Sequence, residues 1–200
     1  KETSHYLPRI SYSDPVMMGE IFTGGFLARE RDQGLMEAWA VTPLGAGTWL
    51  AARAGLIGLQ GSIGALILAA GCGVPFRSGI LIPGVFLASA SAALIGLILA
   101  RPFRDMLSYF VLGGIASAVI NLPILPYLTA GTPALSASWM MAGPAAPSWA
   151  LLSAAFGIPT TVSPAPAMAV LALWTMLLFV FGRRIFHNSF FRCRGYGAAG

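Results

Sequence analysis

Charge is what this sequence has least of. Only 10% of its 200 residues are Asp, Glu, Lys or Arg, against about 25% in soluble domains. No charged residue occurs from 54 to 76, from 78 to 100 or from 106 to 182. A chain with such gaps has too little polar surface to be solvated by water, which excludes a soluble enzyme, a disordered tail and a secreted disulfide scaffold. One membrane domain is expected at this length. Lysine occurs once, at Lys1, so no Gly-x-x-x-x-Gly-Lys-Ser/Thr phosphate loop exists. The two cysteines, Cys72 in an apolar run and Cys193 in a basic tail, form no metal-ligand spacing and read as structural thiols. Paired acids at depth, a His-Glu-x-x-His motif and Ser–His or Ser–Lys arrangements within the apolar runs are all missing, so no catalytic residue and no metal ligand is assigned. The net charge of +5 comes without a basic run interleaved with aromatics and is no nucleic-acid footprint.

What the chain has is long apolar runs. A helix needs about 20 such residues to cross the hydrocarbon core, and residues 54–74, 79–100, 106–127 and 165–182 meet or approach that length. A fifth, shorter run at 15–28 follows Asp14-Pro15, a helix-start signal. It covers only about 20 Å and fits either a short span protected by neighbours or an interfacial or core-buried helix. Residues 128–164, rich in Gly, Pro, Ser and Ala, are expected to form an extracellular loop with short interfacial or re-entrant pieces. The expected architecture is an all-α polytopic bundle with five spans.

Alternating these spans puts Arg29, Arg31, Arg53, Arg101, Arg104, Arg183, Arg184, Arg192 and Arg194 on one face, and Lys1, Arg9 and Arg77 on the other. The Arg-rich face is expected to be cytoplasmic, with the C-terminus on it. Lys1 would then lie outside, so one more span is expected upstream; residues 1–13 have no apolar stretch of the kind a secretory signal needs.

The densest chemistry lies in the inner segment 29–44. Gly34 can turn the chain after Arg29-Glu30-Arg31-Asp32. Leu35–Val41 can form a short helix that Thr42-Pro43 stops, with Leu35, Ala38 and Trp39 on one face and Glu37 facing water. Taken alone, this is a solvated loop with a membrane-lying amphipathic helix. Glu30-Arg31-Asp32-Gln33-Gly34, then Glu37-Ala38, then Val41-Thr42-Pro43-Leu44 also resembles the gate-helix and coupling-helix segment of type-2 ATP-binding-cassette exporter permeases. It is most similar to the fluoroquinolone-export group, with Asp14-Pro15, Gly19 and Leu122-Pro123 in matching order. The resemblance implies a six-span half-transporter of a bacterial inner membrane that moves an amphipathic drug-like or lipid-like substrate outward. It also implies a second permease subunit, identical or not, and a separate ATPase carrying ATP and Mg. That ATPase would contact Glu30, Arg31, Asp32, Gly34, Glu37, Thr42 and Pro43. The alternatives are a non-transporting assembly or scaffold protein and, less well supported by the residues, an intramembrane enzyme.

Glu20 is the one acid within an expected span. A charge at mid-membrane costs about 2.5–3.5 kcal/mol on insertion scales, so Glu20 either faces the bundle or sits near the outer headgroups. Glu20, Gln60 and Asn121 are candidates for a substrate path; for Gln60 and Asn121, hydrogen bonding between helices is the simpler role. Gly55, Gly58, Gly61 and Gly64 at spacing three, and Ala88, Ala92 and Gly96 at spacing four, offer close helix packing within or between subunits. Arg183 and Arg184 anchor a span end, with His187 at the interface.

Overall fold

The computed structural model describes residues 16–40, 45–103, 105–122, 143–158, 160 and 162–194, and among these every regular element is a helix. In chain order they are α1 (Met18–Asp32), α2 (Leu35–Ala40), α3 (Ala46–Gly71), α4 (Ser78–Ala100), α5 (Met106–Asn121, wound as a π-helix over Tyr109–Gly113), α6 (Ala145–Ala155) and α7 (Pro164–Arg194). Three are long and apolar enough to cross a membrane: α3, α4 and Pro164–His187 of α7. The expectation of five spans is thus met for three. The described part of the first run forms the 15-residue α1, and that of the fourth forms α5, which is shorter than the crossing length, residues 123–127 lying outside the described ones.

Charge gaps bound α4 closely: the helix starts one residue after Arg77 and ends one before Arg101. The second span differs from its expected range of 54–74. α3 starts at Ala46 and ends before Gly73, whose φ of +63° suits glycine and closes the helix. Arg53 therefore lies inside α3, about two turns from its start.

α4 is the centre of the bundle and packs against α1, α3, α6 and α7. One core gathers Leu81, Val85, Ala88, Leu151, Leu152 and Leu171; a second gathers Leu27, Leu50, Leu94, Leu97, Tyr109 and Phe186. The second marks the end where α1 finishes, α3 begins and α4 finishes. Arg29, Arg31, Arg53, Arg101, Arg183 and Arg184 lie there, which we term the basic end. Arg77 lies in the α3–α4 turn at the opposite end.

Of residues 128–164, expected to form a loop with short interfacial or re-entrant pieces, the described part holds helix α6. Its 11 residues are almost all buried against α4 and α7. The Arg77 N–H donates to Ala155 O at 2.9 Å, fixing the C-terminus of α6 at the α3–α4 turn. Its other end, Ala145 and Ser148, borders Ala88, Ser91 and Ala92, midway along α4. At 1.5 Å per residue α6 is about 16 Å long, half the hydrocarbon thickness of about 30 Å. It is a half-helix that enters the bundle from the Arg77 end and starts at mid-depth.

Small residues allow the closest crossing. A Cβ on Gly96 of α4 would stand 2.1 Å from the Glu20 carbonyl oxygen of α1, and one on Gly24 would stand 2.7 Å from Gly96 O. On α3 the packed stripe is Ala54, Gly58, Gly61, Ser62, Ala65 and Ala69, which differs from the spacing-three glycine series. Gly58 lies against Phe86, whereas a Cβ on Gly55 or Gly64 would meet nothing within 4 Å. Ala88, Ala92 and Gly96 are buried within the chain. The spacing of four follows the helix period more closely than three, so the contact stripe drifts off Gly55 and Gly64.

Candidate functional site

Two places concentrate polar chemistry. The first is at mid-depth, where α1, α5 and the start of α6 meet. Glu20 is 2% exposed. Asn121 Nδ2 donates to Glu20 Oε2 at 3.2 Å and to Ser117 O at 2.9 Å. The Tyr109 hydroxyl donates to the Glu20 backbone carbonyl at 3.2 Å. Ser117 lies beside the carboxylate, and Glu20 Oε1 is buried with no hydrogen-bond partner among the described residues. Around it Val16, Ser91, Ala145 and Ser148 leave a cleft of about 10 Å³, room for one water at most.

The π-helical turn positions this group. Asn121 and Ser117, four residues apart, share one face of α5, and the widened turn at Tyr109–Gly113 sets the rotation of that face toward α1. Tyr109 is held by Phe103, edge to face at 5.8 Å.

Gln60 is elsewhere. It is exposed on α3 in a groove of about 640 Å³ between α1 and α3, with Met18, Phe22, Phe26, Ile57 and Gly64 as walls. The structure thus brings Glu20 and Asn121 together and leaves Gln60 apart.

The second place is the basic end, where residues 29–40 of the charged segment lie. Arg29–Asp32 form the last turn of α1 and belong to that helix. Glu30 is ion-paired with Arg53, each 21% exposed. The Arg53 guanidinium stacks 4.6 Å over the Trp49 ring, and Trp49 packs on Phe186 of α7 at 5.4 Å. Arg31 donates to the Arg101 and Ala100 carbonyls, closing the C-terminus of α4. Burial, and then the charge of Arg101, lower the Arg31 pKa from its ordinary value, and the guanidinium stays a cation at neutral pH. Gly34, with φ +70°, turns the chain into α2. There Met36 and Trp39 pack against the core while Leu35 and Ala38 are exposed. The face packed on the protein is therefore that of Met36 and Trp39, while Leu35 and Ala38 of the expected apolar face lie on the outside of the chain.

Of the candidate ATPase contacts, Glu30 and Arg31 are engaged within the chain, while Asp32 and Gly34 are exposed, as is the neighbouring Arg29. Glu37 belongs to α2, its side chain lying outside the described residues, as do Thr42 and Pro43 entirely. Asp14-Pro15, Arg104 and Pro123 also lie outside them. The sequence reading missed Tyr109, Ser117 and the Trp49–Arg53 stack; the spacing of Ser117 and Asn121 was the available signal. Among the described residues no three His, Cys, Asp or Glu side chains come close enough to hold a metal ion.

Asp105, outside the spans, starts α5. Its Oδ1 accepts from the Ser108 N–H at 2.7 Å. That backbone hydrogen bond, then the other bonds to Ser108, hold the carboxyl below its usual range.

Compared with family models, with curated proteins and with solved structures, the chain matches none of them.

Proposed function

We propose that this chain is the permease subunit of an exporter driven by a separate ATP-binding-cassette ATPase, with α1 to α7 forming one half of the membrane pathway. The observation that carries the reading is the seating of α2. It hangs from the Gln33–Gly34 turn, and its Met36 and Trp39 pack into the core shared by α1, α3, α4 and α7. A force applied to α2 from the basic end would be passed directly to those helices. Closely packed interiors transmit displacement and do not absorb it. The charged turn Arg29–Gly34 and the motif residues 37–44 support the same reading through their resemblance to exporter coupling segments.

In this reading the basic end faces the cytoplasm, the membrane is a bacterial inner membrane, and five spans of this chain combine with those of a second permease subunit. α1 and α5 would then cross in the company of neighbours, as short segments do when protein covers their polar ends. Glu20 and Asn121 would lie on the pathway and become accessible when α1 and α5 separate. A ligand acting there must prefer one of the two arrangements to shift their balance. Nucleotide and Mg would be bound by the partner.

The test is co-purification with the cognate ATPase in mild detergent, using native chain and a variant of exposed residues, Arg29→Glu with Asp32→Arg. The native chain is expected to retain the ATPase, and the variant to lose at least about tenfold of it, the 1.4 kcal/mol of a modest interface contact. No ATPase on the native chain would sink the reading and favour the scaffold alternative. Unchanged retention by the variant would move the contact away from this turn.

A further inference from the structure

The arginines at the basic end divide into those engaged by the protein and those that are not. Arg53 is paired with Glu30, and Arg31 holds the end of α4. Arg183 and Arg184 of α7 are exposed, and neither is ion-paired among the described residues. No acid occurs in Pro164–His187, nor in Ala46–Gly71, whose Gly47 meets the Arg183 stem; α2, which also packs on α7, carries Glu37.

Together with His187 they line a cavity of about 390 Å³ whose apolar wall is Phe179 and Val180. The Arg183 stem lies on Gly47 of α3, with its Cδ 3.4 Å from where a Cβ would stand. A Cβ there would stand in ordinary van der Waals contact with the Arg183 stem. One helical face joins Val180, Arg184 and His187. It continues along α7 as the exposed apolar residues Leu173, Met176 and Leu177. From Pro164 to Arg183 the helix rises about 28 Å, close to the hydrocarbon thickness of about 30 Å. The two guanidiniums therefore fall at headgroup depth, with a lipid-facing apolar strip directly above them.

We propose that Arg183, Arg184 and His187 bind the phosphate of an anionic phospholipid in the leaflet at the basic end, with its acyl chain along the Leu173–Val180 face. Two arginines suit a phosphate because their planar donors match its oxygens. The adjoining apolar strip selects a lipid over a free phosphate. A zwitterionic lipid offers the same chains, but its own cation opposes the site.

The experiment measures lipid retained by the purified full chain, and its thermal unfolding, after adding phosphatidylglycerol or phosphatidylcholine of identical chains, or soluble glycerol phosphate. The expected result is a roughly thirtyfold preference for phosphatidylglycerol, the equivalent of about 1 kcal/mol per arginine. It should come with a rise in Tm that neither other compound gives. Arg183→Gln with Arg184→Gln should abolish the preference, while Arg77→Gln at the opposite end should leave it intact. Equal retention of both lipids, or a preference surviving in the double variant, would overturn the proposal. An equal effect of glycerol phosphate would replace the lipid site by a simple anion site. Should the double variant fail to fold, the native chain still decides. The preference must fall steeply between low and high salt, as exposed charge pairs do, and a salt-independent preference would overturn it.

Discussion

Gly96 and Gly64 are both glycines in apolar helices, and they should answer opposite ways to the same change. Gly96→Ala puts a methyl 2.1 Å from the Glu20 carbonyl oxygen, a backbone atom that cannot rotate aside. α1 and α4 must separate, and overpacking of this kind costs about 1–3 kcal/mol. Gly64→Ala meets nothing within 4 Å and gains helix propensity of up to about 1 kcal/mol. Thermal unfolding in detergent should fall for the first and hold or rise for the second; equal falls would contradict the crossing at Gly96. Asp105 gives a pH signature at the same scale. Its folded pKa is depressed, so its contribution is fully present above the unfolded value of about 3.9. It is lost as pH falls through the folded value. Protection of the Ser108 amide against hydrogen exchange should drop over that acidic range, and Asp105→Ala should show the lowered protection already at neutral pH.

At the scale of elements, charge gaps are good rulers only where charges frame them. Arg77 and Arg101 bracket α4, and its limits could be read directly. No charge lies between 106 and 182, so nothing in that stretch marks where α6 begins. Its mix of Ala, Ser, Pro and Trp is apolar on every side, which is the pattern of a buried helix and gives no face to detect. The pairing of Glu20 with Asn121 was equally hidden, since 101 residues separate them and helical periodicity reaches only a few turns. For the basic end, charge counting gave the side on which Glu30, Arg31 and Arg53 lie but not their pairing. Burial of α6 carries its own prediction. Leu151 and Leu152 are each 1% exposed, so replacing either by Ala should destabilise by about 2–5 kcal/mol. Leu173→Ala on the outer face of α7, 55% exposed, should cost well under that. Chemical or thermal unfolding in detergent compares them, and equal costs would remove α6 from the core.

For the whole molecule, the ends differ in chemistry. The basic end collects Arg29, Arg31, Arg53, Arg101, Arg183 and Arg184, and the other holds Arg77 with exposed Cys72 nearby. With the basic end cytoplasmic, Cys72 in a Cys193→Ser background should react with a membrane-impermeant maleimide in intact cells. A reporter fused to the C-terminus should behave as cytoplasmic. Labelling of Cys72 only after lysis would reverse the orientation and remove the basis for an ATPase at the Arg29–Gly34 turn.

The π-helical turn at Tyr109–Gly113 holds one residue more than an α-helical turn would. If that surplus is drawn out, everything beyond it turns by about 100° and shifts by about 1.5 Å. Asn121 and Ser117 would then point away from Glu20, while Asp105 and the start of α5 stay in place. A chain with Val111 deleted loses the surplus residue, so its α5 should run as a regular helix that keeps the present register, with the Asn121 amide still on the Glu20 carboxylate; loss of that contact in the deletion variant would contradict the surplus-residue account. The surplus residue is thus a fixed rotational offset, and drawing it out would break the polar contact at the heart of the bundle by rotation alone.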